Sequence, residues 1–400
     1  MKKVYNTDIS KIISLLVIFI CIAIFYVFNH PLYVFDTDDW TYIAETRLPL
    51  PNIHEWNPTR VLPEYLFPFV GQIGASIIYP ITGDYIQALA FAFSFFVSII
   101  ITVYFAFCMS LIYKSFKINR IQWIMLLAIF VLYHFCDNRT SYIVDNYALY
   151  GQSLTNTIYY IVCSLFNALF VIYLMKNEKV PVFEASEKCA LQFLYIYLAI
   201  NSNMYSSIIL VSYVISRLIL KVPIYLKNNN MGSIDYIRKK HFYFIILGMY
   251  VISLVFEVVG GRADSFSSNG LLVSDTIKLF VQSLHDMFVW LTPLIGIICV
   301  GGIIYIVRIR KKLVDEADST FITLLSTCLI SLVVSIVFLV LLSAKVKPSY
   351  ISYPKVMFSW LFWILLSAFI CLCYVIKKLK YSILLVPFYS YHSCEYCDIW

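Results

Sequence analysis

The sequence predicts an all-α protein, a polytopic transmembrane helical bundle. Hydrophobic residues form 61% of its 400 residues, charged residues only 13%, and the mean hydropathy is +0.81. Such a composition lies far outside the range of soluble globular domains. Apolar runs recur at roughly the 17 to 25 residues that cross a hydrocarbon core of about 30 Å. Since unpaired backbone groups are costly in lipid, we expect these runs to be helices.

Ten runs are interpreted as spans, and together they predict one transmembrane domain over residues 1–380 with a cytoplasmic tail at 381–400. The first run follows a basic start and lacks a small-x-small cleavage site, which indicates an uncleaved helix. The two runs in the middle of the chain are short. The ten lie near residues 12–28, 85–113, 121–136, 156–175, 189–202, 206–220, 242–259, 287–307, 320–343 and 356–376.

A further run at 61–80 is ambiguous, because it carries Glu64 and is interrupted by three prolines and two glycines. If it crossed, the basic stretch KSFKINR after residue 113 would lie outside. If it stays outside as a re-entrant or interfacial segment, 22 of the 30 Lys and Arg residues fall on the cytoplasmic side and 8 on the outer side. That bias obeys the positive-inside rule and places both termini in the cytoplasm.

This topology makes the outer face the expected site of any chemistry. Most acidic residues then lie outside, and the long outer loops are 29–84, 137–155 and 260–286. The formal net charge of +7 is explained by cytoplasmic anchoring to anionic membrane lipid, so nucleic acid is not an expected partner. The spans contain few ionisable residues. Glu257 and His134 lie at outer ends and Arg217 near an inner end, where a snorkelling side chain is the simplest explanation.

The first outer loop opens with the stretch FDTDDW, which places Asp36, Asp38 and Asp39 within four residues. Like charges this close raise one another's pKa, which can prepare one carboxylate to take a proton from an attacking hydroxyl. The same stretch is also a good helix N-cap sequence, in which the aspartates would be structural. Spacing alone leaves both interpretations open.

The layout of one span followed by an outer loop with paired acids resembles the membrane glycosyltransferases of the GT-C fold class. The resemblance implies that Asp38 and Asp39 supply the catalytic base, with Asp36 as a third candidate. It also implies a polyprenyl-phosphate sugar as donor, a glycan as acceptor and no other cofactor, while a divalent metal remains open. The size and the lack of a soluble domain are similar to bacterial serotype-converting glucosyltransferases, which modify O-antigen. Glucose and the bacterial inner membrane are the corresponding expectations.

A lipid phosphodiester requires cations on the outer face. Arg60 is favoured because it shares the first loop with the acids and lies four residues before Glu64, one turn away if that stretch is helical. Lys345 and Lys347 come next. Each cation has an alternative interpretation as a surface charge. The full set of candidates is Arg60, Arg139, Arg262, Lys345, Lys347 and Lys355, with Glu64 as a neighbour.

Other functions stay open at this stage. An O-antigen or capsule polymerase has a similar size, but we expect its largest loop late in the chain, whereas here the longest outer loop comes first. A flippase or transporter for lipid-linked sugars would need cations within its helices, which are scarce here. The tail contains Cys394 and Cys397 two residues apart, but a zinc site needs a fourth ligand, so no metal site is expected there.

Overall fold

The computed structural model describes residues 2–34, 36–136, 147–151, 153–177, 187–227, 233–261 and 270–379. These residues form helices and no strand, which confirms the all-α prediction. The predicted tail at 381–400, with Cys394 and Cys397, lies outside them. The helices are α1 (Lys2–Ile24), α2 (Thr37–Ala44), α3 (Val61–Ile73), α4 (Tyr79–Thr82), α5 (Tyr85–Phe116), α6 (Arg120–Phe135), α7 (Leu154–Asn156), α8 (Cys163–Asn177), α9 (Glu187–Ile200), α10 (Met204–Lys227), α11 (Ser233–Val259), α12 (Val273–Asp286), α13 (Phe288–Arg310), α14 (Glu316–Val346) and α15 (Pro354–Leu379).

Short turns connect some of these helices. A π-helical turn at Phe25–Asn29 extends α1, another at Gly74–Ile78 joins α3 to α4, and a third at Thr157–Val162 joins α7 to α8. A 3₁₀ turn at Pro348–Ser352 precedes α15.

Eight helices in the described part of the chain are long and apolar enough to cross a membrane, so the chain is a multi-pass membrane protein. Seven correspond to predicted spans, and the eighth is the ambiguous segment, here Val61–Thr82. Three predicted spans form shorter apolar helices, at Arg120–Phe135, Ala190–Ile200 and Met204–Leu220. All eleven apolar runs of the sequence are therefore helical, while the prediction of about ten crossings stays a prediction.

The core lies along α8 and α15, which are buried on all sides. Every residue of the apolar window of α15 is buried, including Trp360 and Trp363, whereas only 11% of the window of α1 is buried. Helices α10, α13 and α14 pack around α15. A helix that is hydrophobic all round must be covered by other helices or by lipid. The exposed apolar faces of α1 and α13 are therefore suited to contact membrane lipid.

One end of the bundle, the terminal end, contains the start of α1 and the end of α15. Lys114 near the end of α5 donates a hydrogen bond to the carbonyl of Lys176 near the end of α8. The ammonium group of Lys11 on α1 lies 3.7 Å from the ring centroid of Tyr113. Basic residues of α1, α5 and α8 thus meet at this end.

The other end, the loop end, contains the first long loop. Lys355 at the start of α15 donates to the Oδ1 of Asn156, which precedes α8, at 2.8 Å. The hydroxyl of Thr59 donates to a carboxylate oxygen of Glu257 near the end of α11, at 2.5 Å. The N-terminus of α5 lies at this end too, since its other end lies with Lys176. The residues predicted to face outward thus converge on one end of the molecule.

The 61–82 segment, which consists of α3, the π-helical turn and α4, begins and ends at the loop end. The amide of Leu62 donates to the carbonyl of Asn201, just after α9, at 3.0 Å. At the other extremity, the ring of Tyr79 lies 5.8 Å from the ring of Tyr85, the first residue of α5. This course supports an interfacial segment rather than a crossing helix, and the sidedness of the segment stays a prediction.

A glycine allows the 61–82 segment to lie against α2. A Cβ added at Gly71 would stand 2.9 Å from the Cγ2 atom of Ile43 on α2. Real Cβ atoms do not approach other carbons this closely, because close-packed interiors leave no spare volume. Gly71 therefore permits the contact that positions the acidic helix α2 over the loop end.

Candidate active site

The acidic stretch forms the start of helix α2. The side chain of its third aspartate, Asp39, is buried and hydrogen-bonded to a distant segment of the chain. Asp36 is the N-cap residue of α2, and its amide donates to the Oδ2 of Asp39 at 3.3 Å. The Oδ1 of Asp39 accepts from the amide of Thr155 at 2.8 Å and from its hydroxyl at 2.5 Å. Asp39 thus connects the first loop to the beginning of the α7–α8 segment, where a helix N-terminus favours negative charge.

Asp38 has a different environment, although it is adjacent to Asp39 in the sequence. Its side chain is exposed and lines a cavity at the loop end. Within the described ranges, no hydrogen bond or ion pair joins it to another residue. Asp36 is also exposed but does not line the cavity. Of the three aspartates, Asp36 is the N-cap residue of α2, Asp39 is held by Thr155, and Asp38 lines the cavity.

Arg47 organises the rest of the first loop. Its side chain is buried and donates to the carboxylate of Glu64 at 2.7 Å, to the carbonyl of Asn57 at 2.7 Å and to the carbonyl of Pro58 at 3.1 Å. Glu64 also accepts from the side chain of Asn57 at 2.9 Å and from the hydroxyl of Tyr159 at 3.0 Å. A satisfied buried network of this kind fixes a loop in one conformation.

Glu64 is therefore the partner of Arg47. The four-residue spacing had suggested Arg60 instead. Arg60 is the N-cap residue of α3, with φ −81° and ψ 54°, so its backbone has not yet entered the helix. Its guanidinium carbon lies 5.2 Å from the ring centroid of Tyr159 and 5.8 Å from that of Tyr160. The i,i+4 pairing rule does not apply to a residue that lies outside the regular helix.

Arg60 and Lys355 flank the same aromatic ring. The ammonium group of Lys355 lies 4.9 Å from the ring centroid of Tyr160. Burial by itself lowers the pKa of the Arg60 guanidinium, but Tyr160 and the nearby Glu257 carboxylate raise it, and the net pKa is raised. The Arg60 guanidinium is therefore cationic at neutral pH. Two cations over one ring form a local positive region that can hold a phosphate group.

These groups line a cavity of about 440 Å³ at the loop end. This volume is within the roughly 300 to 1,000 Å³ of small-molecule sites. Asp38, Glu45 and Glu55 supply carboxylates, while Arg60 and Lys355 supply the cations. The aromatic side chains that complete the lining are those of Tyr42, Trp56, Tyr160 and Tyr350.

The other predicted cations are not brought to this cavity. Lys345 is half-buried near the end of α14, and Lys347 is the exposed residue that ends α14; neither lines the cavity. Arg139 and Arg262 lie outside the described residues. Among the lysines of the stretch AKVKPSYISYPK it is Lys355 that faces the site, because the turn at Pro348–Ser352 leads from the end of α14 to the start of α15.

Several residues of the site were not singled out by the sequence. Arg47, Asn57, Thr155 and Asn156 build or line the cavity. The stretch SLTNT before the apolar run at 156–175 is a helix-start signal that could have indicated Thr155 and Asn156. No comparable local signal exists for Arg47, whose partners are set by the fold of the loop.

Across the part of the chain that the structure describes, no group of three or more His, Cys, Asp or Glu side chains is arranged to hold a metal ion. Comparison of the chain with protein-family models, with curated proteins and with solved structures found no match. Function is therefore inferred from the residues of the cavity.

Proposed function

We propose that this chain is a membrane glycosyltransferase of the GT-C type. It transfers a sugar, with glucose as the first candidate, from a polyprenyl-phosphate donor to a surface glycan such as O-antigen, on the extracytoplasmic side of a bacterial inner membrane. One observation carries the proposal. At one end of a membrane helix bundle, a single cavity combines Asp38, a carboxylate without a partner among the described residues, with two cations, Arg60 and Lys355, that lie 5.8 Å and 4.9 Å from the centroid of one aromatic ring.

The chemistry requires a base and an anion site. A hydroxyl oxygen of the acceptor attacks the anomeric carbon of the donor sugar, and the bond from that carbon to the phosphate oxygen breaks. Asp38 takes the proton of the hydroxyl. The polyprenyl phosphate leaves with one additional negative charge, which Arg60 and Lys355 stabilise. Positioned cations of this kind stabilise a transition state in which the same charge develops.

The remaining lining of the cavity suits a sugar. Trp56 and Tyr350 offer aromatic faces, and Glu45 and Glu55 offer acceptors for sugar hydroxyls. The 61–82 segment, whose first turn contributes Glu64 to the cavity, exposes apolar side chains that include Phe69 and Ile81. A polyprenyl chain can lie against such a surface while its phosphate reaches Arg60.

The network around Arg47 keeps this arrangement in place. Because Glu64 and Asp39 are fully engaged with loop and helix groups, they hold α2 and the loop against the bundle. The cavity is therefore formed before any ligand binds, as preorganised catalytic sites require. A sugar polymerase would use similar groups, but a flippase would not need a base, so loss of the base distinguishes transfer from transport.

The proposal is tested by Asp38→Asn, with surface glycan composition and transfer from a polyprenyl-phosphate sugar as readouts. Positioned acid–base catalysis contributes roughly a hundredfold to ten-thousandfold in rate, so transfer should nearly disappear. The exposed side chain has no partner in the part of the chain that the structure describes, so the amount and thermal stability of the protein should not change. Asp36→Asn is the matched control and should retain transfer, since Asn caps a helix about as well as Asp.

Asp39→Asn should act differently from both. Asn keeps one acceptor oxygen and presents an NH2 donor in place of the other, so either the Asp36 amide or Thr155 loses its acceptor and stability should fall by roughly 1 to 3 kcal/mol. Normal transfer by Asp38→Asn would show that the proposed mechanism is wrong.

A further inference from the structure

A second cavity, of about 350 Å³, lies at the terminal end of the bundle between α8, α10 and α14. It shares no lining residue with the cavity at the loop end. It is lined by Leu174 and Met175 of α8, by Tyr213 and Arg217 of α10, and by Glu316, Ser319, Thr320, Thr323, Leu324 and Thr327 of α14.

Arg217 carries a charge that the protein does not neutralise within the ranges described. Its Nη1 atom donates to the hydroxyl of Thr327 at 3.4 Å, and its side chain hydrogen bonds to Tyr243. Both partners are neutral hydroxyls. The Nε–H is buried and has no acceptor among the described residues. Arg217 is half-buried, and an anion beside this N–H group would accept a charge-assisted hydrogen bond from it.

The carboxylates of this end whose side chains the structure describes do not supply that anion. Asp318 is buried and already paired with Arg308 at 3.0 Å and Lys378 at 3.2 Å. Glu316 lines the same cavity, but it is exposed and lies eleven residues before Thr327 on α14, about 16 Å away along the helix axis. Glu316 therefore lies towards the first turn of α14, and Arg217 lies deeper in the bundle beside Thr327.

We propose that this cavity binds a phosphate group, with Arg217 as its cationic ligand. The guanidinium group is a planar donor that matches a phosphate in a bidentate manner. The hydroxyls of Thr320 and Thr323 donate to carbonyls one turn back on α14 and can rotate to donate to a phosphate oxygen. Leu174, Met175 and Leu324 provide an apolar wall beside it.

Arg217 supplies one positive charge, which matches the single negative charge of a phosphodiester. A phosphodiester next to apolar side chains, at the end of a membrane bundle, is the chemistry of a phospholipid headgroup. Inorganic phosphate shares the same recognition chemistry and is the alternative source.

The test uses the purified full-length protein in detergent and follows its melting temperature. Phosphatidylglycerol, a galactolipid with the same acyl chains, sodium phosphate, and sodium chloride at matched ionic strength are the four additions. We expect phosphatidylglycerol to raise the melting temperature of the wild type, while the galactolipid and chloride leave it unchanged. A rise with sodium phosphate instead would support the site and identify free phosphate as its ligand.

Arg217→Met should weaken the response by roughly tenfold or more in apparent affinity, because a charged hydrogen bond is lost. Arg310→Met, which removes an exposed cation in the last turn of α13 outside the cavity, should respond as the wild type does. Thr323→Val removes one hydroxyl and keeps the charge, so it should weaken the response less. It also serves if Arg217→Met does not fold. A wild type that responds to neither phosphate source, or an Arg217→Met protein that responds like the wild type, would overturn the proposal.

Discussion

At the terminal end of the bundle, Asp318 is fully buried and is held by Arg308 at 3.0 Å, by Lys378 at 3.2 Å and by the hydroxyl of Tyr374. Asp315 accepts from the same lysine at 2.7 Å and caps α14. At the loop end, Asp38 is exposed and has no such partner in the described structure, while the nearby cations lie over tyrosine rings. The comparison separates charges that stabilise the fold from charges that remain available to a ligand.

The loop end contains both kinds of charge within one loop. Glu64 is engaged by Arg47, and Asp39 is engaged by Thr155, in the same way that Asp318 is engaged at the other end. Asp38, which is exposed, lies in the same loop as these two hydrogen-bonded carboxylates. A carboxylate whose oxygens already accept hydrogen bonds from the protein has less room for a substrate hydroxyl, whereas one that faces the cavity can be reached by it.

The largest expected effect concerns which side of the membrane each end faces. A reporter fused at Gly83, on the tip between α4 and α5, should give an extracytoplasmic signal, and one at Ser115, in the last turn of α5, a cytoplasmic signal. The reason is the bias of basic residues toward the terminal end. Reporter activity in cells gives an all-or-none result. A cytoplasmic signal at Gly83 would reverse the assignment of the two ends and remove the proposed acceptor from the cavity.

Removal of the buried Asp318 carboxylate should destabilise the protein without changing the transfer activity of the molecules that remain folded. Asp318→Ala leaves Arg308 and Lys378 without their buried partner and should lower the free energy of unfolding by roughly 3 kcal/mol. This value is at the low end for buried pairs, because Asp315 can still pair with both cations. Thermal unfolding in detergent measures it. The transfer rate per folded molecule should stay near that of the wild type, and a selective loss of transfer would contradict the structural role.

Substitution of the cations that line the cavity at the loop end should reduce transfer and leave stability unchanged. Arg60→Lys keeps the charge but loses the bidentate geometry, and Lys355→Met removes a charge beside Tyr160. Each should reduce transfer roughly tenfold or more, with weaker use of the donor, because a charge-assisted hydrogen bond to phosphate is lost. Transfer measured against donor concentration separates this effect from loss of the base. If Arg60→Ala transferred normally, Arg60 would not belong to the site.

The smallest effect is expected at Lys347, which the sequence ranked above Lys355. The residue is exposed at the end of α14 and does not line the cavity. Lys347→Ala should therefore change transfer little and stability by no more than about 0.5 kcal/mol, as for most surface substitutions. Lys347→Ala and Lys355→Met are compared in one transfer assay. The comparison tests whether the lysine that binds the donor phosphate is the one that lines the cavity or the one that the sequence ranked higher.

The sequence by itself determined the all-α membrane class, because apolar composition and run length are local properties that lipid selects directly. All eleven apolar runs became helices. It also indicated Asp38 and Arg60 as candidates, Asp38 through the clustered acids of FDTDDW and the resemblance that they support, and Arg60 because it shares the first loop with those acids. The ambiguity of the 61–82 segment was visible as well, in its prolines and glycines.

Only the tertiary structure separated Asp38 from Asp39. Adjacent residues on a helix point about 100° apart, so one of the two had to face the bundle, but which one depended on where α2 meets Thr155, more than a hundred positions later. The same holds for the pairing of Glu64 with Arg47 and for the approach of Lys355 to Tyr160. Each is a contact between residues distant in sequence, and its identity depends on how helices pack, because short-range spacing carries no information about it.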